Sequence, residues 1–188
     1  MKRCFFKLRG FSLLEVIITM ALIVGLVTLA LPCWGMIARS RSKQAATGIV
    51  MGSLEQARQA AITRKDDVWV IFQHPGGLKP DAIRLLAKQG KEITPLDSWH
   101  SIPERISFAD ASDSLMKERP PADILLASMN GETPLTGTRF GGVMFQRSGR
   151  VGVPLPGGNS LLLRFDSTGT LLPESITLSR ATGRATAQ

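Results

Sequence analysis

The chain has only two cysteines and two histidines in 188 residues, and that scarcity removes several chemistries at once. Cys4 lies in a basic N-terminal stretch that reads as a removable leader and Cys33 lies inside an apolar run, so no internal disulfide is expected in the mature chain. There is no CxxC pair and no Cys-His cluster, while His74 and His100 stand alone in loop-like sequence and read as surface residues. No structural metal and no cofactor is expected. A hydrolytic triad would lack a base set beside a nucleophile, so the chain reads as something other than an enzyme. Two short patterns fail on spacing or context. Asp166-Ser167-Thr168-Gly169 has one residue too many for the aspartic-protease D-[ST]-G and reads as a turn, and the glycine pairs at 141–142 and 157–158 lack the downstream lysine of a phosphate loop.

Charge is missing over a long stretch as well. Residues 16–38 carry no charged side chain and are filled with Leu, Ile, Val and Met, more than the roughly 20 residues a helix needs to cross a bilayer core. At about −0.4 kcal/mol for each central Leu, Ile, Val or Phe, about a dozen such residues favour insertion by roughly 5 kcal/mol. One acidic residue near an end, Glu15, does not cancel that. A cleaved secretory signal would have a shorter apolar region and an A-x-A site, and none is evident. A lipoprotein signal would place a small residue directly before the cysteine, where Ala30-Leu31-Pro32-Cys33 has proline. A plain single-pass anchor explains the hydrophobicity but leaves Glu15 unexplained. The charge bias gives no orientation, since Arg39, Arg41 and Lys43 follow the span and a basic leader precedes it.

What remains is enough for one modest domain plus an anchor, which excludes a large multidomain enzyme. The formal charge of +8 is inflated by Lys2, Arg3, Lys7 and Arg9 of the leader. From Arg39 onward 19 basic side chains face 14 acidic ones, a mild excess and weak evidence of an anionic partner. Beyond the span, Ala46, Val50, Leu54, Ala57 and Ala61 recur at spacings of three and four, predicting an amphipathic helix with a small-residue face suited to packing on a sheet and fading near residues 64–67. Pro32, lacking an amide hydrogen, predicts a kink or local melting within the long helix.

The period then changes. Residues 68–72 (VWVIF) predict a buried strand closed by Pro75-Gly76-Gly77. In the middle of the chain, 81–89 reads as a short helix, with 106–108 and 124–127 as short strands. Residues 143–145, 151–153, 160–165 and 176–179 read as short antiparallel strands separated by turns at 147–149, 154–159 and 166–169, and 180–188 as a polar tail.

The richest pattern is Leu8-Arg9-Gly10-Phe11-Ser12-Leu13-Leu14-Glu15-Val16. Glu15 falls one helical turn beyond Phe11, about 6 Å along the axis, in an apolar segment where an unpaired carboxylate costs a few kcal/mol. A cut after Gly10 would create a partner, because the new amino group of Phe11 is a cation at nearly the same depth. A neighbouring subunit can offer its own amine, so the pair favours helices packed side by side at one axial register. A glutamate snorkelling at a membrane edge is the plainer reading. Gly10 lets a protease approach an extended backbone closely.

With its basic leader, Gly10, Phe11, Glu15, apolar helix and Pro32, the N-terminus closely resembles that of type IV prepilins, shared by pilins and by the pseudopilins of type II secretion. Within that superfamily residues 54–62 (LEQARQAAI), 144–150 (MFQRSGR) and 179–184 (SRATGR) resemble the GspH/FimT group of minor pseudopilins. The resemblance implies an α+β pilin-like fold: a leader over 1–10, a transmembrane and assembly helix over 11–38, its amphipathic continuation over 39–66, and an exported β-rich domain over 67–188. It implies a bacterial inner-membrane, single-pass protein with its C-terminal domain in the periplasm. Its partners would be prepilin peptidase, which cuts between Gly10 and Phe11 and methylates the Phe11 amine, inner-membrane lipid, and other pseudopilins or pilins through the N-terminal helix around Glu15. The implied role is that of a minor pseudopilin of a type II secretion pseudopilus. The alternatives are a minor pilin of a type IV pilus acting in assembly or DNA uptake, and, in a different class, a single-pass enzyme or sensor domain using the same anchor.

From Arg139 onward there are six arginines, no lysine and two acids. Arginine suits phosphate binding through its planar fork. Some relatives in DNA uptake carry a C-terminal Gly-Arg-x-Arg. Here Gly183-Arg184-Ala185-Thr186 lacks the second arginine, although Arg180 lies nearby, so DNA binding by Arg180 and Arg184 stands against an ordinary solvated rim.

Overall fold

The computed structural model of the chain describes residues 12–75, 79–103, 106–108, 116, 119–130, 137–152, 160–167 and 174–187, with the backbone alone described at 29–40, 160–167 and 174. Two compact units are present, Met1–Ser40 and Arg41–Gln188. Helix α1 (Leu13–Arg64) contributes to both, and its backbone stays helical through position 32, so the expected melting at Pro32 does not occur. In the first unit every large apolar side chain from Leu13 to Val27 is solvent-exposed, Leu13 by 79% and Val27 by 50%. Apolar residues lie all round the helix here, so no single stripe faces a core.

In the second unit α1 turns one face inward. Ala46, Val50, Leu54, Ala57 and Ala61 are at most 1% exposed, as their spacing predicts. The helix ends at Arg64, and Lys65 adopts a left-handed backbone (φ 56°) that turns the chain into the first strand.

Strands β1 (Asp67–His74), β2 (Ala82–Gln89), β3 (Glu92–Pro95), β4 (His100–Ser101) and β6 (Arg139–Phe145) form one antiparallel sheet in the order β3-β2-β1-β6, with β4 joining β3 on the same edge of β2. Strands β5 (Ile106–Phe108), β7 (Ser160–Ser167), β8 (Glu174–Ser179) and β9 (Ala185–Ala187) form a second in the order β5-β7-β8-β9. A short helix, α2 (Ala122–Ser128), completes the described elements. Alternation along β1 sends Val68, Val70 and Phe72 into the core that holds the α1 face, Ile106, Phe108, Ile176 and Leu178. The intervening Trp69 and Ile71 join a second cluster with Leu86 and with Ile124 and Leu125 of α2. The first sheet is therefore covered on both faces, which is why β1 reads as an unbroken apolar run.

The fold is α+β with antiparallel sheets. Two short segments differ from expectation, in opposite senses. Residues 82–89 (AIRLLAKQ), expected as a helix, form β2, because pairing with β1 along one edge and β3 and β4 along the other satisfies its backbone and buries both faces. Residues 124–127, expected as a strand, lie in α2. Ile124 and Leu125 are buried and Leu126 is 55% exposed, a helical rather than an alternating pattern, and Pro121 marks the start. Of the turn expected at 166–169, Asp166 and Ser167 belong to β7, and positions 168 and 169 lie outside the described residues. Of the strand expected over 151–153, Val151 makes a single bridge to Phe145, and Val153 lies outside the described residues. The segment expected as a polar tail is a turn followed by β9, paired with β8.

Candidate functional site

Three arrangements bear on function, the first at the start of α1. Gly10 and Phe11 lie outside the described residues. The Ser12 carbonyl accepts the amides of Glu15 (2.9 Å) and Val16 (3.2 Å), closing the first turn. The Ser12-x-x-Glu15 spacing is that of a capping box, a signal the sequence reading passed over, and a carboxylate in the first turn also faces the positive end of the helix dipole. Glu15 is the sole charged residue between Ser12 and Thr28. Thr19 and Thr28 donate their hydroxyls to the carbonyls of Val16 (2.9 Å) and Gly25 (2.8 Å). Their polarity is thus absorbed within the helix, and Glu15 alone offers an ionic group. Among the described residues no helix is long and apolar enough to cross a membrane. The span expected from sequence runs on to position 38, and the side chains of 29–40 lie outside the described set.

The second arrangement joins two arginine-bearing turns. After Phe145 the chain turns through residues 146–150, where Gly149 takes φ +77° and its amide donates to the Gln146 carbonyl (2.7 Å). After β8, Gly183 takes φ +65° and donates to the Ser179 carbonyl (2.8 Å). The amide of Val151 donates to the Arg180 carbonyl (3.1 Å), and Gly183 packs against the Gly149 carbonyl and the Phe145 ring. Arg58 of α1 donates its Nε to the Thr182 carbonyl (3.0 Å) while its Nη1 contacts Glu55 (3.1 Å). Exposed Arg147, Arg150 and Arg184 and half-buried Arg180 thus sit on two turns that touch. The sequence pointed to the first of these turns, at 147–149, but the second falls in the segment expected as a polar tail, and their contact was not foreseen.

No family model matches the chain, and neither does any curated protein or solved structure. The geometry therefore carries the functional argument.

The third arrangement was missed by the sequence reading. Asp81, 2% exposed, accepts from the amide of Phe108 on β5 at one carboxylate oxygen (2.5 Å) and contacts His74 Nδ1 with the other (2.8 Å). Its own carbonyl accepts the Ile102 amide (2.7 Å). Burial pushes the Asp81 carboxyl above its ordinary value, against the opposing pull of the Phe108 amide, His74 and Arg139. Neither histidine stands alone: His74 ends β1 beside Asp81, and His100, 47% exposed, contacts Asp97 (3.0 Å). Buried Arg84 donates to the carbonyls of Asp97 (3.2 Å) and of Ser128 at the end of α2, and lies 5.8 Å from the Trp99 ring centre. These contacts knit strands and helix together. Among the described residues no three His, Cys, Asp or Glu side chains converge to hold a metal ion.

Proposed function

We propose that the chain is a minor pseudopilin: a structural subunit, processed by prepilin peptidase, that joins a periplasmic pseudopilus and supports type II secretion. The observation that carries this reading is Glu15, the one charge in the first turns of a helix whose large apolar side chains from Leu13 to Val27 are all exposed. Such a helix needs an apolar surrounding, and in that surrounding its carboxylate needs a cation. Lipid supplies the first. Cleavage between Gly10 and Phe11 supplies the second, and packing against the helices of like subunits satisfies both. A small domain built on the continuing half of α1 and antiparallel sheet is consistent with a pilin-like fold. A single-pass enzyme or sensor domain accounts for Glu15 only as a residue of the helix start.

The deciding experiment is mass spectrometry of the mature protein, paired with fibre incorporation of a Glu15→Ala variant. A chain beginning at methylated Phe11, with the variant inserted in the membrane but missing from the fibre, supports the proposal. A chain beginning at Met1 sinks it.

A second reading keeps the same fold in a type IV pilus machine, as a minor pilin for assembly or DNA uptake. The contact between the two arginine-bearing turns favours it, since Arg147, Arg150, Arg180 and Arg184 share one rim and guanidinium groups suit phosphates. Deletion separates the readings: loss of secreted enzymes supports the first, and loss of twitching or transformation the second. For DNA itself, Arg180→Ala with Arg184→Ala should lower retention at low salt, and unchanged retention removes the idea.

A further inference from the structure

We propose that β9 is a docking edge for an extended acidic segment of another protein, which joins the second sheet as a further strand. β9 ends the order β5-β7-β8-β9, and among the described residues no strand pairs with its outer edge. Its register fixes which backbone groups that edge offers. The Ser179 amide donates to the Arg184 carbonyl (2.9 Å), so in this antiparallel ladder Arg184 and Thr186 turn their backbone groups toward β8, while Ala185 and Ala187 turn theirs away. The N–H and C=O of both alanines are thus presented to an incoming strand. Exposed edges are ordinarily guarded by proline, charge or a bulge. At the edge of the first sheet β3 carries Glu92 and Pro95, whereas β9 reads Ala-Thr-Ala and carries neither kind of guard.

The charge of the occupant follows from what flanks the edge. Ala185 packs against the core, and the two-residue period puts Arg184 and Thr186 on the opposite face. Arg184 is exposed beside the first open position, and exposed Arg147 and Arg150 lie on the turn that Gly183 touches. A strand with carboxylates at alternate positions sets them beside these guanidinium groups, and small apolar residues between them follow Ala185 inward. A second copy of the chain would instead bring a second set of arginines to the same edge. Nucleic acid would use the arginines and leave the edge unpaired. The proposal is independent of Glu15 and of which fibre the chain enters.

The test uses the full chain in detergent micelles and, as probe, a short peptide alternating glutamate with valine. Binding should slow hydrogen exchange at the Ala185 and Ala187 amides and leave that of Thr186, which faces β8, nearly unchanged. Ala187→Pro removes an amide that β8 does not use, so it should keep the urea midpoint yet weaken binding about tenfold. Arg184→Ala should weaken binding about two- to fivefold at low salt and by less at high salt. A peptide with lysine in place of glutamate should not bind. Four results would each overturn the proposal: no protection of either alanine amide by the glutamate peptide, equal binding of the lysine peptide, binding unmoved by Ala187→Pro, or protection of both amides in the chain alone that is lost on dilution, the sign of a second copy on the edge.

Discussion

Gly183 rests against the carbonyl oxygen of Gly149, so the turn after β8 and the turn after β6 meet backbone to backbone, with the Arg58 side chain packed beside both glycines. Both glycines have left-handed backbones, and a Cβ on Gly183 would collide with that oxygen as well as crowd Arg58 Cδ and the Phe145 ring at 3.2 Å each. Gly183→Ala is expected to destabilise the domain by more than about 2 kcal/mol, the sum of backbone strain and the forced separation of the turns. Urea unfolding checks this. A loss under about 0.5 kcal/mol would mean that the two turns part at no cost.

Ala57 is fully buried where α1 meets the sheets, and its size sets how closely the helix can approach. Ala57→Leu should cost about 1 to 3 kcal/mol by overpacking, while Leu54→Ala, at the neighbouring core position, should cost about 2 to 5 kcal/mol by leaving a cavity. Thermal melts of both variants measure the pair. Equal and negligible losses would remove α1 from the core.

The stability of the chain should also depend on pH through Asp81. Burial holds its carboxyl above the ordinary 3.8, so the folded chain keeps this proton more tightly than the unfolded chain does. Stability from this group is complete below the unfolded value and is lost as pH rises through the folded one. Urea midpoints measured across that window should fall with rising pH relative to those of Asp81→Asn. Parallel curves would show that the carboxyl gains nothing from protonation in the fold.

Arg84 predicts a local effect. Its guanidinium satisfies the Ser128 carbonyl, and Ser128 is fully buried. Arg84→Met keeps most of the volume but strands that acceptor, at about 1 to 3 kcal/mol. Exchange should accelerate over residues 122–128 before it does in β1. Uniform acceleration across the domain would argue against a clamp on α2.

Which parts of this fold could be foreseen follows from the range of the interactions that decide them. The α1 face was legible because Ala46, Val50, Leu54, Ala57 and Ala61 keep one period over four turns, and β1 because VWVIF has little other use. The strand β2 was not, because Ala, Leu, Arg and Lys favour a helix and only pairing with β1, β3 and β4 decides otherwise. Helix α2 is too short for periodicity to speak clearly. The turn at Gly149 was visible, but the one at Gly183 lay in what read as a polar tail, and their contact joins residues 34 apart in sequence. Arg84 meets Ser128 across 44 residues, and Asp81 meets Phe108 across 27. Nothing local in Lys79-Pro80-Asp81 announces a buried acid.

Glu15 has two local claims on it, and one substitution separates them. As the third residue after Ser12 it suits a capping box, a role that glutamine fills as well. As the charge that meets the Phe11 amine it admits no neutral substitute. Glu15→Gln should therefore keep the helix start, seen as unchanged helicity and membrane insertion, yet lose fibre incorporation as fully as Glu15→Ala. Ser12→Ala should do the reverse, fraying the first turn by about 1 kcal/mol while leaving incorporation largely intact. If glutamine restores incorporation, the carboxylate serves the helix end and the charge pairing between subunits is wrong.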